Sequence, residues 1–343
     1  MTVAPIGIPV EKHTNMPLTI NNVRFDDPQR CYIIAEMSGG HQQDYDVAER
    51  LVTSAAEAGA DAVKIQTFSP EDICADIPLP FGYDAKHDAW LRSLGVTRMR
   101  ELFAIGGFPR AWTPGLKRHA ERCGVELIST PFSVDAARWL VEEIGVKAIK
   151  IASGDLTFTP LLEYAASTGL PMLVSTGGAT HEEVYESYRI ICRAMDQQYI
   201  QDRIDSDVSV AFFHCVSAYP CPNTAANLRA IHSVQSACGY FPVGFSDHTL
   251  SIDLVPALAI AMGATIYEKH IRLDGDNFSV DAHHSLTPSQ FKAMVQTMAN
   301  VPSILGNGKK VPHPLEMHDR LWARRDPHDW LRPTQAARQG RWE

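Results

Sequence analysis

Two lysines and several short hydroxyl side chains close apolar runs in this chain. Lys64 and Lys150 lie in Ala62–Gln66 and Ala148–Ser153, and Thr130, Ser153, Ser175 and Ser246 end neighbouring runs. Two cations with several small donors suit a ligand bearing phosphate and carboxylate groups. Any one of these hydroxyls would serve equally well as a helix N-cap. A lysine inside Ala-Val-Lys-Ile-Gln or Ala-Ile-Lys-Ile-Ala is different, because an ammonium among β-branched neighbours is costly unless an anion meets it. A desolvated lysine of this kind also suits Schiff-base chemistry, so a class I aldolase stays open. His248 and His270 end adjacent runs. Neighbouring strands are about 4.8 Å apart, which lets two imidazoles converge on one ion, with Glu268 and Asp247 near enough in sequence to orient them. Two nitrogens do not single out one metal. Glu36, Asp281 and Tyr219 are candidates for hydrogen bonds to sugar hydroxyls or an amide. A barrel salt bridge for Glu36 and a helix-entry cap for Asp281 are the structural alternatives.

The elements that must position these groups are eight short apolar runs: Cys31–Glu36, Ala62–Gln66, Glu126–Thr130, Ala148–Ser153, Met172–Thr176, Ser209–Cys215, Pro242–His248 and Thr265–His270. Their other terminal groups are His214, Asp247 and Lys269. Stretches with helical spacing separate them, at Asp44–Ala58, Asp135–Ile144, Thr159–Ser167, Thr180–Met195, Thr224–Ser236, Ile252–Met262 and Pro288–Met298. Strict alternation predicts a parallel sheet, and eight repeats favour closure into an α/β TIM (β/α)8 barrel with every run ending on one rim. No GxGxxG follows the first run, which weakens a dinucleotide-binding alternative. Leu18–Phe25, with an Asn21-Asn22 turn, is expected to form a short N-terminal β-hairpin closing the bottom of the barrel. Ser69 to Thr97 is too long for an ordinary loop and carries Phe81, Tyr83 and Trp90; it is either a lid over the rim or a surface excursion packed on itself. Residues 1–30 are thus an extension with a hairpin, 31–305 the catalytic barrel, and 306–343 an irregular basic tail rich in Pro, Arg and Trp. That tail either wraps the barrel or a partner subunit, which Trp322, Trp330 and Trp342 favour because they are costly to leave in water, or is partly disordered.

A formal charge of −9 over 343 residues argues against nucleic-acid and anionic-membrane surfaces. Seven cysteines without a CxxC pair point to reduced thiols in a cytoplasm. The opening residues lack a signal-peptide pattern, and no apolar run approaches the roughly 20 residues of a membrane span.

Seven segments together resemble the sialic acid synthase family, which includes the N-acetylneuraminate, legionaminate and pseudaminate synthases. They are Ile34-Ala35-Glu36-Met37-Ser38, Ala60 to Thr67, Ser129-Thr130-Pro131-Phe132, Lys150-Ile151-Ala152-Ser153-Gly154, Ser175-Thr176-Gly177, Ser246-Asp247-His248-Thr249 and Glu268-Lys269-His270. The resemblance runs in order from about residue 18 to residue 300. It implies condensation of phosphoenolpyruvate with an open-chain amino-sugar aldehyde, an N-acetylmannosamine-like hexose, giving a nonulosonic acid with phosphate released by C–O cleavage. It implies a divalent ion, Mn2+ or Mg2+, on His248 and His270. Phosphoenolpyruvate would lie on Lys64, Thr130, Lys150, Ser153, Ser175 and Ser246, and the sugar on Glu36, Gln66, Tyr219 and Asp281. Asp155 would help deprotonate the attacking water, beside Glu36, Lys64 and Lys150 as catalytic groups. A homodimer is the implied assembly.

The chain departs from the family pattern in three places. Asp155 replaces a usual Glu, and Gly40-His41-Gln42-Gln43 replaces Asn-His-x-Gly. The resemblance also implies a small antifreeze-like domain that the chain is expected to lack; either Arg324 or Arg325 substitutes for the arginine that domain lends, or the acceptor needs no such contact. Competing expectations are a 3-deoxy-octulosonate or heptulosonate phosphate synthase, the Schiff-base aldolase, and a non-catalytic sugar-binding relative.

Overall fold

Ten strands are present in the computed structural model, which describes residues 19–20, 23–25, 27, 30–79, 85–199, 210–239, 241–277 and 279–341. Leu18, the Asn21-Asn22 turn, Phe81, Tyr83, Ser209 and Trp342 lie outside them. β1 (Thr19–Ile20) and β2 (Val23–Arg24) form an antiparallel hairpin. The barrel strands are β3 (Tyr32–Glu36), β4 (Ala62–Thr67), β5 (Glu126–Pro131), β6 (Ile149–Ile151), β7 (Met172–Ser175), β8 (Val210–Cys215), β9 (Val243–Asp247) and β10 (Ile266–His270). All pair in parallel in sequence order, and β10 closes on β3 with His270 opposite Glu36. The expected TIM barrel is therefore the observed fold.

Strand parity divides the side chains. Outward apolar residues such as Ile33, Val63, Ile149, Val174 and Phe245 pack against the surrounding helices in one large core. Inward residues Tyr32, Ile34, Ala62, Ile128, Ala148, Leu173, Ala211, Phe213 and Ile266 fill the lower barrel, where Ile20 and Phe25 of the hairpin join them. The Phe25 and Tyr32 rings meet edge to face at 4.8 Å. Gly244 is needed here, because a Cβ at that position would stand 2.6 Å from the Phe213 ring.

Helices follow the strands with shifted ends. α1 (Tyr45–Ala58) starts at an Asp44 N-cap that accepts from the amides of Asp46 and Val47, and Gly59 ends it at φ 96°. The excursion after β4 carries α2 (Pro70–Ile73), α3 (Ala85–Ser93) and α4 (Met99–Gly106), with α5 (Thr113–Cys123) leading into β5. Leu79, Leu91 and Val96 form a small core of its own, against which Trp90, Met99, Leu102 and Ile105 pack. α6 (Val134–Trp139) continues as a π turn to Ile144, followed by α7 (Thr159–Ser167) and α8 (His181–Tyr199). In place of one helix over Thr224–Ser236, a 3-10 turn precedes α9 (Ala230–Ala237). α10 is Leu254–Ala261, and α11 runs from Pro288 to Leu305, past the expected Met298.

Residues from Leu305 onward form a separate compact unit. It is less irregular than expected, with α12 (Met317–Ala323) and α13 (Gln335–Arg338). Asp326 is buried and accepts from the amides of His328 (3.0 Å) and Gln335 (2.7 Å). Trp322 and Trp330 are both more than half exposed in the single chain.

Candidate active site

Above the apolar layer, every barrel strand places a polar side chain inward. Glu36, Lys64, Thr130, Lys150, Ser175, Cys215, Ser246 and Glu268 all line one cavity of about 330 Å³. Gln66 and His270 join them one inward position further along, and Ser153, Tyr219, His248 and Asp281 come from the loops above. The structure thus brings together every predicted site residue except Asp155, which does not line the cavity. Ser153 and Asp155 leave the strand in a 3-10 turn, with the Asp155 amide on the Ala152 carbonyl at 3.0 Å. Burial raises the pKa of the Asp155 carboxyl to about 6, and its Oδ2 is buried without a hydrogen bond.

The two lysines occupy equivalent levels in opposite electrostatic states. Lys64 Nζ lies 2.9 Å from Glu36 Oε2, 3.3 Å from Glu268 Oε1 and 3.2 Å from Thr130 Oγ1. Burial works against its charge, but the two carboxylates prevail and its pKa is raised. Lys150, 2 % exposed, donates to the Ile151 carbonyl at 2.9 Å and to Ser175 Oγ, and stands 5.2 Å from the centre of the Phe213 ring. Among the described residues it forms no ion pair. Burial, partly offset by Glu268 and reinforced by Lys64, pulls its pKa down to about 8. An ammonium so placed suits an anionic partner.

Around Lys64 the polar groups interlock. Glu36 Oε1 accepts from the Ser38 amide (3.1 Å) and Gln66 Nε2 (3.2 Å), and Ser246 Oγ donates to Glu268 at 3.1 Å. Burial pushes Glu36 upward, whereas Glu268 is buried but held low by Lys64 and Lys150. Glu36 is therefore the carboxyl better able to hold a proton. Ser153 Oγ accepts from the Gly177 amide at 2.9 Å and lies 3.3 Å from Cys215 Sγ.

The histidine side of the cavity is larger than the sequence suggests. Donor atoms of His270, Asp281 and His284 all lie within 4.8 Å of one another. His248 stands beside them, its ring 5.6 Å from His270 and 6.0 Å from His284. Its Nδ1 is engaged with the Val216 carbonyl at 2.8 Å, which leaves Nε2 for a ligand. His270 Nδ1 and both nitrogens of His284 are buried without a hydrogen bond. Burial lowers all three histidine pKa values, and at His270 and His284 the neighbouring histidines add to it. Neutral imidazoles with unused nitrogens beside a carboxylate fit a divalent ion. Asp281, expected to hold sugar, sits in this group; it accepts from Ser38 Oγ, and burial raises its pKa. The Tyr219 ring lies 4.3 Å from that of His248 and 5.1 Å from that of His284.

Three terminal groups face away from the cavity. Asp247 was expected to orient the histidines, but it accepts from Lys269 Nζ (2.9 Å), Tyr267 Oη (2.6 Å) and the Thr249 amide (2.7 Å) on the outer side of the barrel. Lys269 is committed to that pair, and His214 Nε2 binds the Ala226 carbonyl at 2.9 Å. Parity explains all three, since each is one residue from an inward neighbour: Ser246, Glu268 and Cys215. His284 was missed. Its one signal is its place three residues after Asp281, which alone does not reveal contact with His270.

A closed parallel barrel with a ring of polar groups at the strand carboxyl ends defines an enzyme of the (β/α)8 class. Residues 51–310 match the NeuB family. The N,N'-diacetyllegionaminic acid synthase of Legionella pneumophila is 34% identical over 86% of this chain and 79% of its own length. The human N-acetylneuraminate-9-phosphate synthase is 31% identical over 84% and 74%. Among solved structures, the N-acetylneuraminic acid synthetase of Leptospira borgpetersenii superposes with a TM-score of 0.73 at 30% identity, covering 90% of this chain and 96% of that one. The chain belongs to the NeuB family, and its relatives include these synthases.

Proposed function

We propose that this chain condenses phosphoenolpyruvate with an open-chain 2-acetamido hexose, giving a nonulosonic acid and inorganic phosphate, with Mn2+ or Mg2+ present. The observation that carries this is Lys150, a buried ammonium without a carboxylate partner, in a cavity whose other wall holds the histidines and Asp281.

In this reaction C3 of phosphoenolpyruvate bonds to the aldehyde carbon, and the carbonyl electron pair moves to oxygen, which takes a proton. Water then adds its oxygen at C2 and loses a proton, and phosphate departs with the electrons of its C–O bond. Lys150, with Ser175 and Ser153, holds the phosphate, and Thr130 and Ser246 complete the cradle. Lys64 keeps Glu36 and Glu268 side by side. Glu36, raised by burial, holds or yields a proton at the new hydroxyl. Having yielded its proton to the new hydroxyl, Glu36 takes up the one that the water loses, so the base role expected of Asp155 falls to a carboxyl that lines the cavity. Gln66 and Tyr219 meet the sugar's hydroxyls and amide. A divalent ion on His248, His270, His284 and Asp281 would supply polarisation of the aldehyde oxygen.

The test is phosphate release from phosphoenolpyruvate across a panel of 2-acetamido hexoses, with and without EDTA. Metal-restored release with at least one amino sugar is expected. Binding of phosphoenolpyruvate without turnover on any acceptor would replace the proposal with a sugar-binding role. The lowered pKa of Lys150 also suits an aldolase; a borohydride-trapped adduct on Lys150 formed in EDTA would favour that alternative.

A further inference from the structure

The unit from Leu305 onward has a cleft of its own, of about 710 Å³, lined wholly by its own residues. Five cations reach it. Lys310 comes from the segment before α12, Arg320 and Arg324 from the end of α12, and Arg325 and Arg332 from the loop that follows. Among the described residues, Glu316 and Asp319 are the carboxylates on its lining, so these side chains carry a formal charge of +3. The same excess holds for the unit counted whole from the sequence. Residues 305–343 contain eight Lys and Arg against five Asp and Glu, in a chain whose total is −9.

Acidic groups of this unit are taken up by its scaffold. Glu316 accepts from the His313 amide at 2.7 Å and caps the turn before α12. Asp329 accepts from Arg338 Nη2 and from the Leu331 amide, both at 2.9 Å. Buried Asp326 holds the amides of His328 and Gln335, while its own amide meets the Leu331 carbonyl at 2.9 Å. The Thr334 amide reaches back to the Leu321 carbonyl at 3.2 Å, which fastens the loop to α12. Arg325 Nη1 donates to the Trp330 carbonyl at 2.6 Å. The loop that brings Arg325 and Arg332 to the cleft is therefore braced from within.

Arg320 and Arg324 stand four residues apart, a spacing at which like charges repel. Their place at the end of α12, where helix carbonyls favour cations, accounts for these two. It does not account for Lys310 and Arg332, which other segments bring to the same cleft. Four of the five cations are arginines, whose planar fork matches phosphate oxygens two at a time. A single phosphate ester brings about −1.5 to −2 charges, short of the cleft's balance, and two linked phosphates approach it.

We infer that this cleft is a binding site for a diphosphate group, free or carried on a nucleoside. The site does not depend on the condensation proposed above. Its cations are exposed, so its affinity falls as salt rises.

The test is calorimetric titration of the full chain with inorganic pyrophosphate, uridine diphosphate and inorganic phosphate, at about 0.15 M salt. Pyrophosphate should bind at least about tenfold tighter than phosphate, since the second group adds charge-assisted hydrogen bonds. Arg324→Gln and Arg332→Gln should each weaken pyrophosphate about tenfold, and Arg332→Lys, which keeps the charge without the fork, should recover only part. Lys150→Met should leave this binding in place, which separates it from phosphate held in the barrel cavity. Uridine diphosphate tighter than pyrophosphate assigns the nucleoside form, and equal affinities assign the free group. If a glutamine variant also melts lower, the comparison of Arg332→Lys with wild type decides. Equal affinity for phosphate and pyrophosphate overturns the inference. So does binding that both arginine variants keep and Lys150→Met loses. A single-stranded oligonucleotide bound tighter than either diphosphate would put a polymer in the cleft and overturn it as well.

Discussion

The floor and the rim of the barrel are built by the same eight strands one inward step apart, yet their chemistry is opposite. Ile34, Ala62, Ile128, Ala148, Leu173, Ala211, Gly244 and Ile266 lie at or next to the floor layer. Two residues later in each strand the inward side chain is Glu36, Lys64, Thr130, Lys150, Ser175, Phe213, Ser246 or Glu268. Seven of those eight are polar, and β8 reaches its polar group one step later at Cys215. Two residues of strand are only about 6.6 Å. The lower layer can be sealed by the hairpin because it needs no ligand, whereas the upper layer concentrates buried charge that packing alone does not justify. Stability and chemistry are thereby separated along each strand.

The two rim lysines give the largest test of that separation. Lys64→Met would leave Glu36 and Glu268 buried without their shared cation, at a cost of about 3–5 kcal/mol in denaturant unfolding. Lys150→Met removes a charge with no carboxylate partner, so stability should hold or rise while phosphoenolpyruvate turnover falls about 10²–10³-fold. Equal destabilisation by the two variants would mean that Lys150 has a structural counter-charge. The floor should show the converse. Ile128→Ala is expected to lose about 2–4 kcal/mol through a cavity, with both KM values unchanged. A large rise in either KM would show that the layers are not independent. On the histidine side, His284→Ala should lower metal content at equilibrium, read by atomic emission after dialysis. Affinity should fall about 10–100-fold, with less effect on the melting temperature than Ile128→Ala.

Much of the rim could be read from the sequence because an inward polar residue interrupts a short apolar run, as Lys64 does in Ala62–Gln66. Closure followed from the repeat count. Which face a terminal residue takes is a matter of parity. Asp247 and Lys269 are neighbours of inward groups, and only the observed register shows them paired outside the barrel. His284 and α4 were hidden for a different reason. Each reaches the cavity through contacts between distant segments, His284 with His270 and Gln43 with Ile105 and Gly107, and no local period encodes such a meeting. Asp155 lies outside the cavity lining, at the end of a 3-10 turn that Ser153-Gly154-Asp155 does not announce.

A pH dependence separates function from stability at one residue. Burial pulls Lys150 down to about 8, so the charged form that receives an anion is lost as pH rises above that value. In the free enzyme, kcat/KM for phosphoenolpyruvate should therefore fall about tenfold per pH unit above pH 8. Stability should move the other way. The unfolded lysine titrates near its ordinary value of 10.5, so between about 8 and 10.5 the unfolded chain binds more protons at this site than the folded one. The contribution of Lys150 to unfolding free energy then rises with pH across that window, as the burial penalty on its charge is relieved. Lys150→Met should lack both slopes, and Lys150→Arg should lose the activity limb while remaining charged. A wild-type pH profile flat to 10 would show that Lys150 keeps its proton as an ordinary lysine does, and would overturn the claim that the site waits for an anion.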